Sequence, residues 1–170
     1  RDRFFDILNT SDGCEVGIGL SSVAEIDSLN ILRATHLAMR RAVETLPSPP
    51  DCILVDGRPV PGLPVFSTAI VKGDTLSLSI AAASVIAKVT RDRIMCELDA
   101  RYPQYGFRQH KGYGTSQHMQ ALLEFGPTPE HRRSFRPVRE AEAIRRRQTM
   151  TTTNANARQP GLPFMPGAAT

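Results

Sequence analysis

The chain has 170 residues, of which 41% are hydrophobic, with a net charge of +4 and a pI near 9.3. That is enough apolar material for one cored domain rather than a disordered chain; no apolar run approaches a membrane span, and the basic balance is a mild bias toward a polyanionic partner. Cys14, Cys52 and Cys96 are odd in number, far apart and form no C-x-x-C, which argues against a disulfide framework or a cysteine metal site and predicts a soluble protein of the reducing cytoplasm.

Residues 1–10 read as the end of a helix, with Phe4, Phe5, Ile7 and Leu8 on one face and Ser11-Asp12-Gly13 as the stop. Glu15 to Leu20 alternates apolar residues with glycines, which predicts a strand whose backbone a neighbour approaches closely. A helix is expected from Ala24 to Leu46, with Ser21 and Ser22 as caps and Glu25 and Asp27 in its positive first turn. Leu29, Leu32, His36, Met39, Val43 and Leu46 would form its buried stripe, and Pro47-Ser48-Pro49-Pro50 ends it. Cys52 to Val55 reads as a buried strand delivering Asp56 at its C-terminal edge, and Val65 to Val71 as another leading into Lys72-Gly73-Asp74.

From Ser79 to Arg101 the pattern is helical, with Ala83, Ala87, Ile94 and Leu98 along one face. Pro103 to Tyr113 is turn-rich, and Ser116 to Phe125 forms a short helix closed by Gly126-Pro127. The ordered domain is expected to end near Val138. The resulting division is a domain over 1–140 and a basic tail over 141–170, with 148–170 too poor in apolar surface to order. Strands separated by long helices give an α/β class, and carboxylates at strand ends place the chemistry along one sheet edge.

Asp56 and Asp74 are the most informative pair there. Two carboxylates at neighbouring strand ends suit a hard divalent cation that keeps several waters and meets substrate phosphate, although Asp-Gly and Gly-Asp also serve as plain turns. His110-Lys111-Gly112-Tyr113-Gly114 combines a cation, an aromatic and two glycines, fit either for a loop laid against a nucleic-acid strand or for an ordinary surface turn. The arginines from Arg132 to Arg139 could meet phosphates or form a solvated basic face. Lys88 follows Ser84 by four residues, so both could meet one anion, with a structural ion pair as the alternative. His36 reads as a core histidine. Asn30 near a helix N-terminus suits either a phosphate contact or a local cap.

The strings EIDSLNIL (25–32), AMRRAV (38–43), ILVDG (53–57), IVKGD (70–74), AAASVIAKVTRD (81–92), YPQYGFRQHKGYGT (102–115) and EHRRSFRPV (130–138), taken in this order, resemble the ribonuclease HII family over residues 15–140. The resemblance implies a ribonuclease H-like α/β fold with a helical C-terminal part. It implies an endonuclease, assisted by manganese or magnesium, that cuts the RNA strand of RNA–DNA hybrids and incises DNA at embedded ribonucleotides. It makes Asp56 and Asp74 the third and fourth of the family's four carboxylates, and Tyr113 the tyrosine that stacks on the sugar beside the RNA-to-DNA junction. Asn30, Ser84 and Lys88 fall in segments that line the substrate side, and Lys111 would hold backbone phosphate.

The family's first strands carry an Asp-Glu pair and a Gly-Arg-Gly loop that residues 1–20 do not match, and the first residue is Arg1. The expectation is therefore a fold truncated at its N-terminus, with an alternative in which the chain binds hybrids without cutting them. The resemblance also favours a monomer with no membrane partner.

Overall fold

The computed structural model describes residues 1–156, with side chains to residue 148. Helix α1 (Asp2–Thr10) ends at Ser11, as the sequence predicts. The segment that follows is not a strand. Residues 14–22 form neither helix nor strand and pair with no sheet, because their glycines bring the backbone onto a helix instead. A Cβ on Gly19 would lie 2.0 Å from the Ala38 carbonyl oxygen, and one on Gly17 would lie 2.1 Å from that of Ala42. The close approach was legible; its partner was not.

The expected long helix is two. In α2 (Val23–Leu29), Ser22 and Glu25 form a reciprocal capping box. Asn30, at φ 73° and ψ 164°, breaks the helix and caps the next one, α3 (Ile31–Glu44). The predicted stripe is only partly covered: Leu32 is 60% exposed and Ala34 is the buried residue of α3. Arg41 reaches back across the pair to Glu25 at 2.6 Å and to the Leu20 carbonyl at 2.7 Å.

Strands β1 (Ile53–Asp56) and β2 (Ser67–Ile70) run parallel, with Ile53 beside Ser67 and Asp56 beside Ile70. Val55 is buried, as a strand facing a core requires. The aligned C-terminal ends deliver Asp56 and the Lys72-Gly73-Asp74 turn to the same edge. Among the described residues these two strands form the whole sheet, so each has an unpaired side, and Leu54, Phe66, Leu76 and Leu78 are exposed around them.

Helix α4 (Leu78–Arg101) is the spine of the molecule: it touches β1, α1, the turn at 73–75 and the turn at 103–105. Its buried residues are Ile80, Ile86 and Val89, while Ala83 and Ala87 of the expected face are exposed. Helix α5 (Phe107–His110) packs on α4, followed by α6 (Ser116–Phe125) and α7 (Arg136–Asn156). The main core gathers Tyr105, Phe107, Ala121, Leu122, Val138 and Ala141, bordered by Leu98, Tyr102 and Met119. Ala141 thus carries the core past the boundary expected at residue 140, and α7 continues through 148–156, where disorder was expected. Residues 157–170 of that expected tail lie outside the described residues. The three cysteines are free, and no helix among the described residues is long and apolar enough to cross a membrane.

Candidate active-site edge and nucleic-acid face

At the C-terminal edge of the sheet, one hydrogen bond ties the turn that carries Asp74 to the Asp56 side chain. The Gly73 N–H donates to Asp56 Oδ1 at 2.8 Å, which places Asp74, the next residue, beside the end of β1. The geometry follows from the local sequence. Lys72 adopts a left-handed conformation (φ 56°), turning the chain sharply after β2. Gly73 is buried, and a Cβ there would lie 2.5 Å from Ile80 Cδ1, so any larger residue would have to displace the Ile80 side chain for this turn to sit down on α4. The short 3-10 turn Gly73–Thr75 then feeds α4 through Ser77 N–H to the Gly73 carbonyl at 2.8 Å. Asp56 and Asp74 are both exposed.

These are hard oxygen donors on a rigid edge, and their chemistry fits a divalent cation that retains most of its waters. Among the described residues no group of three or more His, Cys, Asp or Glu side chains is close enough to hold a metal ion. Asp56 and Asp74 are thus two exposed carboxylates at one edge, with no closed metal cage around them among the described residues.

The second feature surrounds Tyr113, which is 62% exposed. Its backbone N–H donates to the His110 carbonyl at 2.9 Å, and the Arg91 guanidinium lies over its ring, 4.8 Å from the centroid. Arg91 also donates to the Lys111 carbonyl, so one arginine ties α4 to both the backbone and the aromatic ring of the loop. Lys111, at φ 51°, caps α5 and points its Nζ to Cys96 Sγ at 3.3 Å. Lys88 pairs with Asp92 at 2.5 Å, and this lysine, with Lys111 and Arg91 nearby, holds the Asp92 carboxyl below its usual range. Lys88, Arg91, Lys111 and Tyr113 thus form one basic, aromatic patch.

Arg91 was not singled out in the sequence. The available signal was its position three residues after Lys88 on the same helix, which sets both on one face.

The remaining candidates have local partners. Asn30 Oδ1 accepts from the Leu32 and Arg33 N–H groups at 3.0 and 3.1 Å, so its side chain acts as the cap of α3. The Ser84 hydroxyl donates to the Ala81 carbonyl at 2.7 Å, and Lys88 turns to Asp92 rather than to Ser84. In the basic segment, Arg136 pairs with Glu140 at 2.6 Å and Arg133 with Glu142 at 3.8 Å. Asp27 fastens this segment to α2, accepting from Arg133 N–H at 2.8 Å and Ser134 N–H at 3.0 Å, with the Ser134 hydroxyl also donating. His36 is half-buried rather than a core residue. The patch around Tyr113 and the carboxylate edge share α4 but do not merge into one hydrogen-bonded cluster.

Comparison with known proteins matches both regions. The family profile described as Ribonuclease HII covers residues 10–138. The ribonuclease HII of Cereibacter sphaeroides is 62% identical over 125 residues, 73% of this chain and 59% of that protein. That of Granulibacter bethesdensis is 54% identical over 145 residues, 85% of this chain and 66% of that protein. Among solved structures, the ribonuclease H2 from Pyrococcus horikoshii OT3 aligns with a TM-score of 0.55 at 26% identity, covering 73% of this chain and 67% of that one. This likeness gives the mixed α/β architecture its class, the ribonuclease H-like fold. The chain spans 59% to 66% of the length of these curated relatives.

Proposed function

The chain belongs to the ribonuclease HII family, and we propose that it serves an endoribonuclease that hydrolyses the RNA strand of RNA–DNA hybrids and incises DNA at embedded ribonucleotides. The observation that supports this reading is the Gly73–Asp56 hydrogen bond, which holds the turn carrying Asp74 against the end of β1. Asp56 and Asp74 would hold manganese or magnesium. When bound, such an ion supplies Lewis-acid stabilisation of the charge that develops on a phosphate under attack.

The chain's own residues divide the remaining work. The Gly73 N–H fixes Asp56 Oδ1, so the carboxylate is oriented before any ligand arrives. Tyr113 offers an exposed ring for a sugar or base at the RNA-to-DNA junction, and Arg91 fixes its plane. Lys111 and Arg91 contribute positive charge toward the backbone, with an affinity that falls as salt rises. Lys88 is partly neutralised by Asp92, and its part is to keep Asp92 from repelling phosphate. Asn30 acts on the site only through α3. The three free cysteines support a reducing, cytoplasmic setting, and monomeric action is part of the same proposal.

The test is cleavage of a DNA duplex bearing one ribonucleotide, with manganese or with magnesium, by the chain and by its Asp56→Asn and Asp74→Asn variants. Cleavage that disappears in both variants while duplex binding persists supports the assignment. Undiminished cleavage in either variant removes that carboxylate from it. Salt-dependent binding with no cleavage by the unaltered chain would point to hybrid recognition alone.

A further inference from the structure

Beneath the Tyr113 loop lie three buried histidines, His110, His118 and His131, on three different segments. Their hydrogen-bond partners assign every ring nitrogen. A backbone N–H can only donate, so the Thr128 N–H, 3.0 Å from His131 Nδ1, leaves that nitrogen without a proton. The neutral ring then carries its proton on Nε2 and donates it to His118 Nε2 at 3.0 Å. His118 in turn carries its proton on Nδ1 and donates to the Tyr113 carbonyl, also at 3.0 Å, which can only accept. His110 follows the same logic: Nδ1 accepts from the Gly112 N–H at 3.1 Å, and Nε2 donates to the Tyr105 carbonyl at 2.7 Å. One set of tautomers satisfies all six nitrogens.

The chain of donors runs in one direction, from Thr128 through His131 and His118 to Tyr113. Packing holds its members in place: the His110 and His118 rings stack at 4.5 Å, and Phe107 meets His118 edge-on at 5.5 Å. Thr115 adds a second donor to the Tyr113 carbonyl at 2.8 Å and caps α6 through His118 N–H. We infer that His131 and His118 are positioning residues: a one-way histidine relay that locks the backbone of Tyr113 and thereby aims its exposed ring at the nucleic-acid junction. Burial keeps the imidazoles of His118 and His131 neutral near pH 7, as the relay requires. The inference rests on the junction role proposed for Tyr113, but the relay geometry does not.

Two measurements on the full chain separate these layers. Long-range proton–nitrogen correlation spectra of the histidine side chains should show His118 protonated at Nδ1 and His131 at Nε2; the opposite tautomer at His118 overturns the relay whatever Tyr113 does. Binding to a duplex with one embedded ribonucleotide, measured by fluorescence anisotropy without divalent ions and compared with an all-DNA duplex, tests its consequence. His118→Phe, which abolishes the donor, should lose about tenfold of the ribonucleotide-dependent affinity, within the range expected for one stacked aromatic. His118→Asn, whose amide can still donate to the Tyr113 carbonyl, should recover most of it. In a Tyr113→Ala background, His118→Phe should cost nothing further. A folded His118→Phe with full affinity, or losses that simply add, overturns the positioning role. If Tyr113→Ala alone leaves affinity unchanged, the junction role itself falls, and the relay's functional consequence falls with it.

Discussion

The relay makes stability depend on pH in a window where few other groups act. Burial, reinforced by the nearness of the His118 imidazole, pushes His131 down to about 4 from its ordinary 6.5. Between these values the unfolded chain binds a proton that the folded chain refuses, so the stability contribution is full above pH 6.5 and is lost as pH falls toward 4. At pH 5 the linkage from this single group amounts to about 2 kcal/mol, taking 1.36 kcal/mol per unit. His131 faces His118 on α6, the Tyr105 and Phe107 rings and Thr128, with His110 next in the stack. His118, itself lowered by burial, titrates in the same direction. Glu25, held to about 2 by Arg41, and Asp27 and Asp92, also lowered, lose their contributions only below their ordinary values, at more acid pH. The assay is urea unfolding at pH 7 and pH 5 for the unaltered chain and for His131→Asn, whose side-chain oxygen still accepts from Thr128 N–H. The unaltered chain should lose about 2 kcal/mol more over this interval than the variant. Equal pH dependence in the two would show that His131 is not held neutral by the fold, and the reasoning would fail.

Other outcomes follow from single contacts. Asp74→Asn should cut metal-dependent cleavage by about a hundredfold or more, as loss of one preorganised electrostatic group commonly does, yet leave duplex affinity within about twofold; equal cleavage rates decide against it. Asn30→Ala should destabilise the fold by about 1 kcal/mol in chemical denaturation, and Asn30→Gly by less, because glycine tolerates both the cap position and φ 73°; the reverse order would contradict the cap. Gly19→Ala places a methyl 2.0 Å from a backbone oxygen of α3, so it should cost at least about 1–3 kcal/mol and raise amide exchange in residues 14–22, and a neutral result would mean the segment does not lie on α3. Arg91→Gln should reduce the slope of log affinity against log salt by about 1, whereas an unchanged slope would put Arg91 outside the phosphate contacts.

What the sequence revealed depended on whether a feature carries its own contrast. The run Cys52-Ile53-Leu54-Val55 stands out against Pro50 and the Asp56-Gly57 turn, so β1 and its terminal carboxylate were readable. Asp74 was readable for the same reason, although the bond that holds its turn to Asp56 runs from the Gly73 N–H, which no side-chain pattern announces. Residues 15–20 have the alternation of a strand, but a strand also needs a free sheet edge, and the glycines lay this one against α3. The break at Asn30 was hidden because the apolar spacing passes through it undisturbed; its signals were the Ser22–Glu25 capping box and an asparagine able to take positive φ. In α4 the alanines masked the buried face, since they contrast too little with their neighbours to show which side Ile80, Ile86 and Val89 share. The histidines of the relay were invisible as a set: residues 110, 118 and 131 follow no helical or strand period, and only the fold of α5, α6 and the 127–131 turn brings them into line.

The chemistry of the relay suits the face it supports. An ionic anchor for Tyr113 would have to compete with phosphate, because a carboxylate placed beneath the loop would also pair with Arg91 or Lys111 and weaken the field that attracts a polyanion. Such an anchor would also loosen as salt rises. Neutral imidazoles avoid both problems. Their rings are buried, the bond between them is fully so, and their tautomers are dictated by backbone groups that cannot reverse roles. Their own neighbours act in the same sense, since a second proton on His118 would sit in a buried site beside His110 and face the donor of His131. Raising salt in the physiological range should accordingly weaken duplex binding while leaving the His118 tautomer, read by nitrogen chemical shift, unchanged. A tautomer that shifts with salt would mean that the support of Tyr113 is electrostatic after all.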